Sequence, residues 1–171
     1  RKQDATYCWV NDEQQLIRDK HGDPLEIVGS WSDVTARKEA QDAMRRSEQR
    51  MKDAIGSISE GFSLFDAEDR LIVCNDAYGE LHYPGLGIPA PGTTYEALIR
   101  NAVLEGLIEE AKGRTDEWIA ARLAKHKQPG EPHVQQRAGG RWVQINERKT
   151  AEGGIVAVYT NITDIKRAEE N

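Results

Sequence analysis

Apolar and polar positions mix along residues 7–18, YCWVNDEQQLIR, with the aromatic and β-branched content of a strand. Asp19-Lys20-His21-Gly22-Asp23-Pro24 is a dense turn cluster. Residues 25–32, LEIVGSWS, return to a strand pattern, so the chain opens on a β-hairpin. A lone hairpin is marginal in water. This one needs a partner, either the rest of a domain or a neighbouring chain.

The period then lengthens. Asp33 or Thr35 can cap a helix, because a short side-chain oxygen satisfies free backbone N–H groups. Between Ala36 and Ile58 helix formers dominate and there is no proline. Apolar or small residues fall at Ala40, Met44, Ser47, Met51, Ala54 and Ile58, the alternating steps of four and three that make a heptad seam. A helix over 36–58 would be about 35 Å long at ~1.5 Å per residue. It reads as a solvated linker, or as a rod that pairs with its own copy in a parallel dimer.

From Gly61 the pattern becomes globular. Residues 62–65 and 70–74 predict two strands joined by a turn at 66–69, and Asn75-Asp76 caps a short helix reaching Leu81. A loop rich in Gly and Pro covers 82–91. A helix opens at Thr93-Thr94 with Leu98, Ile99, Ala102 and Val103 on one face, and another spans 116–126. Three strands follow at 133–138, 141–149 and 154–161, connected through Gly139-Gly140 and Gly153-Gly154. Residues 165–171 begin a further charged helix.

Composition narrows the classes. Hydrophobic residues make up 38% and charged residues 30%, a balance that a long solvated helix beside one compact domain explains. The net charge of −6 argues against nucleic acid and anionic membrane surfaces as partners. No apolar run approaches the roughly 20 residues of a membrane span. Cys8 and Cys74 read as reduced thiols, which with the absence of a signal peptide places the chain in the cytoplasm. The first residue is Arg1, which reads as an excerpt of a longer protein.

The chain repeats itself. Asp33-Val34-Thr35 with Lys38 and Ala40 matches Asn161-Ile162-Thr163 with Lys166 and Ala168, each after an apolar strand and before a charged helix. With Gly61-Phe62-Ser63-Leu64-Phe65-Asp66, Leu71 to Tyr78, Arg141-Trp142-Val143 and Gly153-Gly154, this order resembles the PAS family. The resemblance covers about 56–164 as a whole domain and 7–35 as the last two strands of a preceding one, the part often called PAC. It implies an α+β PAS fold, a five-stranded antiparallel sheet with helices over one face and a small cavity between, preceded by a long linker helix. The domains are then 1–35, 36–58, 59–164 and 165–171, the last starting an output helix. Signal relay would run through Asp33 and Thr35 in one copy and Asn161, Thr163 and Asp164 in the other. Asn161 stands where the motif usually has Asp, so coupling there is expected to differ from the first copy.

No catalytic constellation is present: HExxH, GxSxG and Cys-x-x-Cys are missing, and the segment reads as no enzyme. His21, His82, His126 and His133 are scattered, and no metal site is expected. Cofactor identity stays open. The cysteine motif of photoreactive flavin domains is absent, and His126 beside Lys125 and Lys127 makes a poor haem ligand. Tyr78, Leu81, Tyr95, Leu98, Ile99, Trp142, Asn146 and Tyr159 are the candidates to line the cavity. Trp142, Gln144, Asn146 and Arg148 share one strand face by period two. Either these residues bind a small amphipathic ligand, or they fill a core. Two functions follow: a sensor that shifts its flanking helices, or a ligand-free dimerisation and interaction module. A histidine kinase or nucleotide cyclase would be the output in cis.

Overall fold

The computed structural model describes residues 6–169. The chain divides into two compact units, one up to Lys52 and one from Asp53.

The first unit is a hairpin of β1 (Val10–Arg18) and β2 (Pro24–Asp33), antiparallel from Val10 opposite Asp33 to Ile17 opposite Glu26. Its turn is tied by Asp19, whose Oδ1 accepts from the amides of His21 and Asp23, while Gly22 takes a φ of 90° that other residues resist. No residue of either strand is buried, and Trp9 and Trp31 are 60% and 78% exposed. Helix α1 (Thr35–Gly56) follows. None of its residues is buried, and Met44 and Met51 are open to solvent at 66% and 62%.

In the second unit α1 ends at Gly56, so Ile58, expected as the last position of the helical seam, lies beyond the helix. At and past the helix end, Asn75 Nδ2 donates to the carbonyls of Ile55, Ile58 and Glu60 and so holds the chain where it turns into β3.

The strands β3 (Gly61–Phe65), β4 (Leu71–Cys74), β5 (His133–Arg137), β6 (Arg141–Lys149) and β7 (Ile155–Asn161) form a five-stranded antiparallel sheet in the order β4-β3-β7-β6-β5. Between β4 and β5 the chain forms α2 (Asp76–His82), α3 (Tyr95–Leu104), a 3₁₀ turn at Glu109–Ala111 and α4 (Thr115–Lys127). Asn75 and Thr94 cap α2 and α3 by accepting from the amides of Tyr78 and Ala97. Gly139 and Gly140 turn β5 into β6 with φ of 74° and 69°. Gly154 is required for another reason: any side chain there would collide with the carbonyl of Phe65 on the neighbouring strand.

Alternation along the strands builds one buried face. Phe65, Val143, Ile145, Ala157 and Tyr159 meet Tyr78, Tyr95, Ile99 and Ile119 from the helices in a single core. Full burial of a side chain such as Phe65 contributes about 1.5–3 kcal/mol. The last strand β7 lies in the middle of the sheet, paired to β3 and β6. From it α5 (Thr163–Glu169) leaves, starting two residues earlier than the charge pattern suggests. The remainder of the expected 165–171 segment falls outside the described residues.

Candidate functional site

Two features stand out in the second unit, an aromatic and cationic interior and a clasp where β7 hands over to α5. The interior begins with α2. Its cap at Asn75 fixes the helix so that Tyr78 and His82, one turn apart, both face the sheet. The Tyr78 ring lies 4.6 Å from His82 and 5.0 Å from Tyr159, and Tyr159 shares a 3.0 Å hydrogen bond with Ser63 on β3.

At the end of β5, Arg137 is almost completely buried, and its Nη2 donates to His82 Nδ1. Among the described residues, Arg137 Nε and Nη1, His82 Nε2 and Gln135 Oε1 are buried with no hydrogen-bond partner. They border a cavity of about 10 Å³ whose lining also includes Tyr83, Tyr95, Ile99 and Arg122. Burial, with the charges of Arg137, Arg122 and Arg141, holds His82 well below the usual imidazole value, so it is neutral.

Beside the cavity, Glu147 projects inward from β6. Arg122 reaches it with both Nη atoms, at 3.1 and 2.7 Å, and His126 Nδ1 lies 2.6 Å from Oε1. Burial raises the Glu147 carboxyl, but the bonds from His126 and Arg122 outweigh it and bring the pKa down to about 2. The His126 ring stacks on Tyr95 at 3.6 Å, and the Arg122 guanidinium stands 5.2 Å from the same ring. This triad fills the space between α4 and the sheet.

The expected pocket residues divide. Tyr78, Tyr95, Ile99 and Tyr159 line the cavity. Leu98 is in the core but away from the cavity, and Leu81 borders a surface groove with Glu60, Arg141 and Thr160. Trp142 and Asn146 sit on the other face of β6, because Val143, Ile145 and Glu147 point inward. The phase was hidden by Glu147, a carboxylate that enters the core only because Arg122 and His126 meet it. His126, read as a helix-end residue, is fully buried. Arg122, Gln135 and Arg137 were not expected in the pocket, and the inward phase of α4 and β5 is their sequence signal; His82, read only as one of four scattered histidines, follows Tyr78 by one turn of α2. Among the described residues no three His, Cys, Asp or Glu side chains gather as a metal site.

The clasp uses Thr163. Asn161 Oδ1 accepts from the Thr163 amide at 3.0 Å and from its hydroxyl at 2.6 Å, while Thr163 Oγ1 accepts from the Trp142 amide at 3.0 Å. The first unit reproduces this atom for atom: Asp33 Oδ1 accepts from Thr35 N and Oγ1 at 2.9 and 2.5 Å, and Thr35 Oγ1 accepts from the Trp9 amide at 2.9 Å. In both, the intervening residue, Val34 or Ile162, donates to the same Trp carbonyl. At the threonine the acceptor geometry of Asp33 and Asn161 is the same. Asp164 is exposed at the start of α5, near Arg167 at 3.9 Å.

A mid-sheet last strand, helices over one face and a small interior cavity define an α+β class of domain. Residues 55–170 match the PAS fold family, and the chain belongs to that family. It is 36% identical over 144 residues to a non-motile and phage-resistance protein of Caulobacter vibrioides; the match covers 84% of this chain but only 16% of that protein's length. Among solved structures, the PAS domain of an HTR-like protein from Haloarcula marismortui is 14% identical with a TM-score of 0.44, covering 73% of this chain and 99% of that one. The PAS domain of BvgS from Bordetella pertussis is 21% identical with a TM-score of 0.42, covering 73% and 95%. No helix among the described residues is long and apolar enough to cross a membrane.

Proposed function

We propose that this chain is a sensory relay segment of a cytoplasmic bacterial signalling protein, non-catalytic itself, that passes a change in its PAS interior to an output domain in cis. The observation that carries this is the repeated clasp. A strand that shares a ladder with the cavity wall is bonded through one threonine to the helix that leaves it, and the same device recurs at the head of α1. A shift of β7 is thereby coupled to α5 over a few hydrogen bonds. On this reading the hairpin of β1 and β2 is the closing part of a preceding PAS domain, and the clasp at Thr35, matching the one at Thr163, supports it. Helix α1 would pair with its copy in a homodimer through Ala40, Met44, Met51 and Ala54.

A second reading is favoured by the cavity's size. At about 10 Å³ it is nearly full, as a ligand-free interaction and dimerisation module would be. Light scattering of the purified chain over rising concentration tests the relay: a dimer is expected, and a monomer throughout overturns helix pairing. Native mass spectrometry of the same sample separates the two readings, by a co-purifying small molecule or a bare chain.

A further inference from the structure

Helix α2 has an outer side as well as the inner side that carries Tyr78 and His82. Asp76 and Glu80 are both exposed there, one helical turn and about 6 Å apart. Neither carboxylate has a hydrogen bond or ion pair among the described residues. They border a groove of about 390 Å³ between α2 and the loop that follows it, with Tyr83 and Ile88 on its apolar side. Helix and loop meet closely: a Cβ on Gly79 would lie 3.1 Å from Ile88 Cγ1. Leu86 and Ile88 are nonetheless 52% exposed each. Glu80 also borders the groove of Leu81 and Glu60, about 460 Å³, which extends to Asn161 of the clasp. Three carboxylates and one cation, Arg141, line the two grooves together.

We propose that the groove outside α2 docks a basic amphipathic helix of a partner protein, its apolar side on Leu86 and Ile88 and two Lys or Arg residues one turn apart on Asp76 and Glu80. The occupant follows from complementarity. Unpaired carboxylates at helical spacing beside an exposed apolar wall match a helix that carries cations at the same spacing and an apolar stripe next to them. Exposed ion pairs contribute little singly, so Leu86 and Ile88 supply most of the affinity while the carboxylates set the sign of the charge and the register. Docking there also reaches the relay. The inner side of α2 holds Tyr78 and His82 against Tyr159, so a partner that shifts α2 acts on β7, the strand that feeds α5. Only this consequence rests on the relay reading above; the docking stands without it.

The test adds to the isotope-labelled chain a synthetic helical peptide of leucine and lysine, about 18 residues or five turns long. A leucine and glutamate peptide of the same periodicity is the control. Amide shifts in the nuclear magnetic resonance spectrum are expected from Asp76 to Glu80 and from Gly85 to Ile88 with the lysine peptide, and none with the glutamate peptide. Asp76→Lys with Glu80→Lys should weaken binding at least tenfold. Glu68→Lys with Glu152→Lys makes the same change in net charge at a separate groove and should leave binding within about twofold. Equal loss in the two double variants reduces the binding to net charge and overturns the proposal. Shifts confined to other surfaces, or equal binding of the glutamate peptide, overturn it too. The shift map needs no variant, so it decides even if Asp76→Lys unsettles the start of α2. Glu80→Lys alone then carries the charge test, with a loss of at least threefold expected. Shifts at α2 with none at Trp142 or Thr163 keep the docking and remove its coupling to the relay, whereas a chain that dimerises but shows no shift at α2 loses the docking alone.

Discussion

Trp142 donates its backbone N–H to Thr163 Oγ1 at 3.0 Å, so a side chain of the outgoing helix completes the hydrogen bonding of a sheet strand. The same hydroxyl donates to Asn161 Oδ1. Thr163→Val keeps the shape and removes both bonds from a buried position, at a cost of about 1–2 kcal/mol. Thr163→Ser should restore most of it. Urea denaturation gives the cost. Hydrogen exchange locates it, with faster exchange expected at Trp142, Thr163 and Asp164. Unchanged exchange at Trp142 would show that strand and helix are not joined through this atom.

The Glu147 triad has a larger stake. Glu147→Gln leaves Arg122 buried opposite a neutral amide, and breaking a buried pair from one side costs about 3–5 kcal/mol. Chemical denaturation near neutral pH should show a loss of this order. A loss under about 1 kcal/mol would mean that water reaches Arg122 and replaces the carboxylate.

Acid should weaken the fold in two ranges. His82 is depressed from its ordinary value of 6.5, so the unfolded chain binds the extra proton; this stabilisation is complete above about pH 6.5 and declines as pH falls. His133, depressed to about 4 by burial and by Arg122 and Lys125, acts in the same sense between 6.5 and 4. Glu147 is lowered from 4.5 to about 2, and its share is present above 4.5 and lost as pH falls toward 2. Denaturation midpoints from pH 8 to pH 3 should therefore fall from about pH 6.5 onward and more steeply below 4.5. His82→Phe should flatten the upper range, and Glu147→Gln the lower. An unchanged upper range in His82→Phe would assign it to His133 alone.

The order of strands and helices was legible because their signals are local. Glycine pairs marked the hairpins, Asn75 and Thr94 marked helix starts, and the Asp33 and Asn161 segments marked the repeat. The interior was legible only on α2, α3 and β7, where aromatics carry the pattern. On β6 the two faces read Val-Ile-Glu and Trp-Asn-Arg, and choosing between them required knowing that Arg122 and His126 arrive from α4. That is a tertiary fact with no signature inside the strand. The end of α1 was missed for a similar reason, since the side chain that holds the segment after Gly56 is Asn75, well along the chain.

Asn75 makes a further point testable. Its Oδ1 accepts from Phe62 and Tyr78 amides at 2.8 and 3.0 Å, and its Nδ2 holds three carbonyls at the end of α1. Asn75→Ala should cost about 2–3 kcal/mol, combining a lost cap with unpaired backbone groups. Asn75→Asp is more informative. It keeps the acceptor for Phe62 and Tyr78 but turns an oxygen toward the carbonyls of Ile55, Ile58 and Glu60. Hydrogen exchange should then stay slow at Tyr78 and rise at Ser57 and Ile58. Equal acceleration at both would show that the two halves of the amide do not act separately.

The exposed seam of α1 supplies the last test. Burying a methionine contributes about 1.5–3 kcal/mol, and Met44 and Met51 lie two turns apart on a helix with no buried residue of its own. A second copy of the chain paired along α1 would cover both methionines. Small neighbours at Ala40 and Ala54 would let two such helices approach closely while adding little contact area, so pairing should be modest and concentrated at the methionines. Replacing Met44 and Met51 together by Glu puts like charges across a two-fold seam, and self-association measured by sedimentation should weaken at least tenfold. The fold from Gly61 onward should be untouched, with near-ultraviolet circular dichroism of the Tyr78, Tyr95 and Tyr159 cluster unchanged. Sedimentation identical to that of the unsubstituted chain would remove α1 from the dimer and leave the outer face of the sheet to account for any association that is observed.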